Sequence, residues 1–272
     1  NRRRLNDTFY TDTLFSKVKS MNGNTCAQVY SNGSFTKVFP MADKTGARVG
    51  QTLTDFADDV GIPDTLVMDL APEQAGKHTE MQTEARRLRV RIRYTEKGRS
   101  EQNHTAEGEI GQLKRRWKHR MTTKNVPRCL WDYGLVHEAE VLSILARGKD
   151  QVPGLEKVLG QTIDISEYLD FGIWDLVWYW DQSKTSDMSD EQKKLGRWLG
   201  IAHRVGSEMT YWILTEHCKV IARSTVQHVL FADLQQETVK AKAARFERLI
   251  DENLRGRETI VNVPNVFYLD DE

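Results

Sequence analysis

Apolar positions recur along this chain at two spacings, and the spacing switches where one element gives way to the next. In the first forty residues, strand-forming residues flank two Asn-Gly pairs, Asn22-Gly23 and Asn32-Gly33. Asn-Gly favours a type I′ hairpin turn, which needs φ > 0 at both central positions. The pattern predicts three antiparallel strands over residues 9–18, 25–30 and 35–41. Val49, Leu53, Phe56, Ala57 and Val60 then fall on one helical face, ended by Gly61 and Pro63. A short apolar strand at 65–68 delivers Asp69 at its carboxyl end, and a helix over 78–88 follows. Val90, Ile92 and Tyr94 alternate with Arg89, Arg91 and Arg93, the signature of a strand with one basic face.

A three-strand meander followed by helix, strand, helix, strand and helix predicts an α/β unit, a mixed five-stranded sheet with flanking helices. Ligands on such sheets gather beyond the carboxyl ends of the parallel strands, where Asp69 would sit. Residues 127–147 carry a second long helical pattern. From Gly172 the texture becomes short aromatic strands (DLVWYWD, LGRWLGIAHRV, MTYWILT, KVIARSTVQHV), which predict a small antiparallel β-barrel. A charged helix over 235–257 has Val239, Ala243, Phe246, Leu249 and Ile250 on one side and needs a partner surface. The expected organisation is a core over 1–165, the β-barrel over 166–234 and a charged helical tail over 235–272.

Charged residues make up 29% and hydrophobic residues 39% of the 272 positions, a globular profile without a membrane-length apolar run or a signal-peptide stretch, and hence an intracellular expectation. Cys26, Cys129 and Cys218 are odd in number and form no CxxC pair, so reduced, mostly buried thiols are expected. The formal net charge is zero, yet the signs are segregated. Residues 51–74 hold six acids and no Lys or Arg, whereas residues 84–120 hold twelve Lys or Arg against five Glu. Such a split fits either a basic face for a polyanion or a set of solvated surfaces.

With the third helix starting near Thr105, Glu107, Gly111, Lys114 and Lys118 form one stripe beside an apolar stripe of Ile110, Leu113, Trp117 and Met121. A first-turn glutamate has a plain explanation in the helix dipole. What changes the picture is its combination with Asp12 on the first strand and Asp69 after the fourth, because three converging carboxylates repel one another unless compensated. Two Mg²⁺ or Mn²⁺ ions would compensate them and support phosphoryl transfer. Asp12, Asp69 and Glu107 are thus the candidate catalytic and metal-binding residues. Lys114, Lys118, Arg115 and Arg116 are candidates for nucleic-acid binding. Asp7 is a rival to Asp12, and Glu73 and Glu109 are possible accessory ligands, although helical geometry turns Glu109 about 200° from Glu107, toward solvent. His78, His104 and His119 fit surface or capping roles. Trp174, Trp178, Trp180, Trp198 and Trp212 fit either a packed barrel core or base stacking, and Arg197, His203 and Arg204 are candidates for backbone contact.

The stretch QNHTAEGEIGQLKRRW resembles the QNG-x-AER segment of integrase catalytic cores from Ty1/copia-type retrotransposons, with Asn103, Ala106 and Glu107 matching. YTDTLF supplies Asp12 and VMDLAPEQ supplies Asp69, and the thirty-seven residues between Asp69 and Glu107 are close to the family's interval. PGLEKVLGQTIDISEYLDFG resembles the segment after the core, and KLGRWLGIAHRVGSEMTYWIL with VIARSTVQHV resembles the later small β-region, so the likeness covers roughly residues 8–232. It implies a ribonuclease H-like core with an SH3-like appendage. It also implies DNA integration as a polynucleotidyl transferase, an Asp-Asp-Glu (DDE) site with two magnesium or manganese ions, a homo-oligomer on element cDNA ends and target DNA, and a nuclear place of action. The family usually shows Asp-Asn-Gly at the second aspartate, where Leu70 and Ala71 follow here, and a His-His-Cys-Cys module that this sequence lacks. Three functions stand: a strand transferase, a catalytically inactive nucleic-acid or protein-binding module, and a hydrolysing nuclease.

Overall fold

The computed structural model describes residues 2–69, 79–95, 104–147, 150–181, 193–206, 209–263, 266 and 268–269, with 104 and 106 by backbone alone. The chain divides into two compact units. One comprises Asn1–Arg120, Glu138–Ile163 and Ile260–Glu272, the other Met121–His137 and Asp164–Thr259.

In the first unit β1 (Arg4–Phe15) is the middle strand of a five-stranded sheet. It pairs antiparallel with β2 (Cys26–Ser31), which pairs antiparallel with β3 (Thr36–Met41), and parallel with β4 (Ile62–Asp69), which pairs parallel with β5 (Arg91–Thr95). The order β3-β2-β1-β4-β5 is the mixed sheet that the element order predicts. Both Asn-Gly pairs lie between strands, but only Gly23 and Gly33 have positive φ, so neither turn is type I′. Asn32 instead uses its side-chain Oδ1 to accept from the Ser34 and Phe35 N–H groups, a local side-chain turn that competes with the backbone one.

α1 (Gly46–Asp59) buries Leu53, Phe56 and Ala57 against Phe9, Tyr30 and Leu66 of the sheet. The Tyr30 and Phe56 rings stack 4.8 Å apart, and the Tyr30 hydroxyl lies 2.8 Å from Thr52 Oγ1. α2 (Glu80–Arg87) opens with a capping box between Thr79 and Gln82 and adds Met81 and Ala85 to the same core. α3 (His104–Lys124) buries Leu113 and Trp117, and α4 (Trp131–Ile144) follows a short 3-10 turn at Arg128–Leu130. α5 (Gly154–Leu159) passes so close to the β2–β3 turn that a Cβ on Gly154 would lie 1.9 Å from the Ser34 carbonyl oxygen, which only glycine permits. Near the end of the chain Ile260 bridges to Val18 and Tyr268 to Phe15, both beside this sheet.

The second unit contains β6 (Leu176–Trp180), β7 (Lys193–Ile201), β8 (Tyr211–Thr215), β9 (Val220–Arg223) and β10 (Val226–His228), all antiparallel in the order β10-β6-β7-β8-β9. This corrects the expected barrel. Two residues carry the chain from β9 at one edge to β10 at the other, so the sheet is strongly curled. β9 and β10, four and three residues long, do not pair with each other, and closure requires that pairing. Trp174, Trp178 and Trp198 are buried, whereas Trp180 is 41% exposed, so the tryptophans are mainly core. After α6 (Ser166–Leu169) and α7 (Phe231–Gln235), α8 (Glu237–Asn253) buries Val239, Phe246 and Ile250. Arg197, a candidate for backbone contact, instead donates from Nε to Glu247 of α8 at 3.0 Å and lies over the Trp174 ring. Among the described residues no helix is long and apolar enough to cross a membrane.

Candidate active site

The parallel register of β1 and β4 brings the first two carboxylates together. Thr11 pairs with Met68, and the next step along both strands sets Asp12 beside Asp69. Side chains alternate between faces. Phe9 and Leu66, paired in register, point into the core under α1 and α2. Asp12 and Asp69 each lie three residues further on, an odd number, and therefore share the opposite face.

Asp12 is half-buried, and its Oδ1 accepts a 2.7 Å hydrogen bond from the Thr13 N–H. Burial raises its pKa above the usual aspartate value. The Thr13 N–H opposes this, the negative charge of Asp69 adds to it, Lys44 opposes it, and Glu107 adds to it again. Glu107, exposed in the first turn of α3, is therefore within electrostatic reach of Asp12, as is Asp69. Asp69 is exposed at the end of β4, and its Oδ1 accepts a 2.6 Å hydrogen bond from Thr95 Oγ1 of the in-register position on β5. Thr95 carried no signal in the sequence, because its role depends on the β4–β5 register.

All three donors are carboxylate oxygens, the chemistry that a hard divalent cation takes. Their spacing is another matter. Among the described residues no group of three or more His, Cys, Asp and Glu side chains is gathered so as to hold a metal ion. The trio is thus an electrostatic cluster rather than a closed ligand set.

The rival and accessory acids are occupied elsewhere. Asp7 accepts from the Thr8 N–H and from Asn32 Nδ2. Glu109 does not face solvent as helical geometry suggested. It is 5% exposed, held by Arg147 at 3.1 Å and by Thr36 Oγ1 at 3.0 Å. Glu73, His78 and Asn103, with Leu70 and Ala71, lie outside the described residues, as do the side chains of His104 and Ala106.

The basic candidates on α3 divide into two kinds. Lys114 Nζ donates to the Tyr268 carbonyl, and Arg116 Nε donates to Oε2 of fully buried Glu138 at 2.8 Å, a carboxylate that Arg120 also holds. Arg115 and Lys118 are exposed, as is His119.

No protein-family model matches the chain, and no curated protein does. Among solved structures it is similar to a chain of the simian T-cell lymphotropic virus intasome in complex with PP2A regulatory subunit B56 gamma. The two are 15% identical, with 85% of this chain and 82% of that one covered and a TM-score of 0.45. It is also similar to the catalytic core domain of BIV integrase, at 13% identity over 56% of this chain and 93% of that one, with a TM-score of 0.42. At that level the neighbours are a likeness only, and the functional reading rests on the geometry of this chain.

Proposed function

We propose that this chain is a retrotransposon integrase with a ribonuclease H-like core, a DNA-integrating polynucleotidyl transferase that joins a 3′-hydroxyl to target DNA. The observation that carries the reading is the one-step register beyond Thr11 and Met68, which sets Asp12 beside Asp69 on one face of the sheet, with Glu107 within electrostatic reach of Asp12. Asp12, Asp69 and Glu107 carry the carboxylate oxygens that two Mg²⁺ or Mn²⁺ ions take, and would have to draw closer than they stand here to hold them. Such ions, when bound, supply activation of the attacking hydroxyl and stabilisation of the leaving oxygen.

The chain's own groups prepare that site. The Thr13 N–H fixes one oxygen of Asp12, and the Thr95 hydroxyl fixes one of Asp69, which orients both carboxylates. Lys118 and Arg115, both exposed on α3, are available to a DNA backbone. Work on DNA in the nucleus and assembly as a homo-oligomer, which two DNA ends require, belong to the same proposal.

A second reading, an inactive integrase-like binding module, is favoured by the absence of a gathered ligand set among the described residues and by the engagement of Lys114 with Tyr268. A strand-transfer assay with Mg²⁺ or Mn²⁺, with Asp69→Asn alongside, separates the two. Joining by the parent chain that Asp69→Asn abolishes supports the enzyme. Absence of joining in either metal, with DNA still bound, supports the module.

A further inference from the structure

At the other end of the same strands lies a second feature, an open cleft of about 550 Å³ lined by Arg2, Arg4, Ile62, Arg87, Leu88 and Arg89. Eight residues of β1 separate Arg4 from Asp12, about 26 Å at strand rise, so the cleft is not part of the carboxylate edge. Three of its arginines have partners. Arg2 is paired with Asp58, Arg87 with Glu84, and Arg4 spans the Leu88 and Arg89 carbonyls at 3.0 and 3.1 Å.

Arg89 is different. It follows the end of α2 in a Schellman turn, with its N–H on the Arg86 carbonyl and the Val90 N–H on the Ala85 carbonyl, and has φ +56°. Glycine is the usual residue there, since a side chain in the left-handed region is strained. Among the described residues no carboxylate pairs with Arg89, so the strained backbone is held by the turn's own hydrogen bonds and by Arg4, while the guanidinium gains no ion pair. A strained residue at a cleft wall, with its charge facing solvent, points to a ligand.

The charge continues beyond the cleft. Arg91 and Arg93 are exposed on β5, the edge strand of the sheet, two residues apart and hence on one side. Arg91 lies 4.0 Å from Asp64, and no carboxylate among the described residues pairs with Arg93. Every cation of this row is an arginine, whose planar fork matches phosphate oxygens two at a time. Guanidinium groups repeated along the strand edge suit a repeating anion, with Ile62 and part-exposed Tyr94 lying among them.

We infer that the arginine cleft and the β5 edge bind the phosphate backbone of a nucleic acid along one track, which starts at the end of the strands away from the carboxylates and runs along β5 toward Thr95 and Asp69. The inference rests on the proposed function for its partner, and deepens it by giving the nucleic acid a track across the unit.

Arg89→Gly tests it cleanly, because glycine relieves the backbone while removing the charge. Binding of a fluorescein-labelled DNA duplex is followed by anisotropy across a KCl series in EDTA, on a chain that also carries Asp69→Asn, so that joining chemistry does not enter. Arg89→Gly is expected to keep or raise the melting temperature, to weaken binding about three- to tenfold, and to reduce the salt slope by about one. Arg89→Lys is expected to restore most of the affinity, and adding Arg93→Gln to Arg89→Gly to weaken it further. Unchanged affinity and slope in Arg89→Gly and in the double variant would overturn the inference, whether or not the parent chain joins DNA. So would tighter binding of polyglutamate than of the duplex, which would assign the surface to an acidic polypeptide pairing with β5. Loss of joining with this binding pattern intact would count against the proposed function alone.

Discussion

Lys114 Nζ donates a 2.9 Å hydrogen bond to the backbone carbonyl of Tyr268, so a lysine on the face of α3 that bears Glu107 holds the returning segment of the chain in place. The same segment is fixed by the Leu269 N–H on the Phe15 carbonyl, by the Val261 N–H on the Lys17 carbonyl, and by burial of Tyr268 with Phe15, Cys26 and Met41. Lys114 therefore acts as a structural group in this arrangement, and Lys118, one turn on and exposed, is the freer cation for a polyanion.

The two lysines should separate in experiment. Lys114→Met removes a charged donor from a partly exposed bond, which costs about 1 kcal/mol, and a fall of about 2–4 °C in melting temperature is expected. Lys118→Ala should leave melting unchanged while lowering DNA affinity and reducing the salt slope by about one. Thermal unfolding and anisotropy titrations check both. The reverse pattern would show that Lys114 leaves Tyr268 to meet DNA.

Arg147 is expected to be among the least replaceable surface-proximal residues of the first unit. It meets both oxygens of buried Glu109, Gln112 Oε1 and the Ser34 carbonyl. Arg147→Ala strands that carboxylate with only the Thr36 hydroxyl, and breaking such a pair costs roughly 3–5 kcal/mol. Glu109→Gln keeps hydrogen-bonding capacity and should cost clearly less. Urea denaturation of the two variants tests the order, and equal losses would show that the pair contributes only as a unit.

Glu109 also shows where sequence reading reaches its limit. Its angular position on α3 was legible and placed it away from Glu107, but solvent was assumed on that side. Burial came from β3 and from Arg147, thirty-eight residues away, and no local pattern carries that partner. The sheet was legible for the opposite reason. Alternation in β5, the short apolar run of β4, the Asn-Gly pairs flanking β2 and the helical faces of α1 and α8 are signals within short stretches, and they suffice for element types, though not for the turn at Asn32-Gly33, where the asparagine side chain displaces the expected backbone geometry. Barrel closure was not legible, because it depends on whether β9 and β10 meet. Of the candidate site, Asp12 and Asp69 could be aligned from topology. The hydroxyl that orients Asp69 follows from β4–β5 register, and the division of α3's cations into engaged and exposed follows from Glu138 and Tyr268, both distant in the chain.

The thiols offer a check on the packing. Cys26 and Cys129 are buried, with burial pushing their pKa values up to about 11 and about 12, whereas Cys218 is half-exposed, although burial raises its pKa too. Thiolate is the reactive form. At pH 8 the native protein should release one equivalent from a thiol-disulfide reagent, from Cys218, and the other two only on unfolding in denaturant. Rapid release of three equivalents from the folded chain would contradict the buried placement of Cys26 beside Met41 and Tyr268.

Asp12 gives the most direct test of the carboxylate cluster, through the sign of a pH dependence. Its pKa is raised in the fold above the ordinary 3.8, so between those two values the native state holds a proton that the unfolded chain has lost. Stability from this group is full below the unfolded value and is lost as pH rises through the folded one. At neutral pH the ionised carboxylate then weighs against folding. Asp12→Asn retains an acceptor for the Thr13 N–H and removes the charge. Its melting temperature should match the parent's near pH 3.5 and exceed it by a few degrees at pH 7, the gap opening with rising pH. Millimolar Mg²⁺ or Mn²⁺ should narrow that gap by stabilising the parent more than the variant, since a cation that binds only the folded state stabilises in proportion to the logarithm of its occupancy. Parallel pH profiles for the two proteins would show that neither burial nor the charges of Asp69 and Glu107 raise the Asp12 pKa in the fold, and an identical response of both to the metal would remove this cluster as its site.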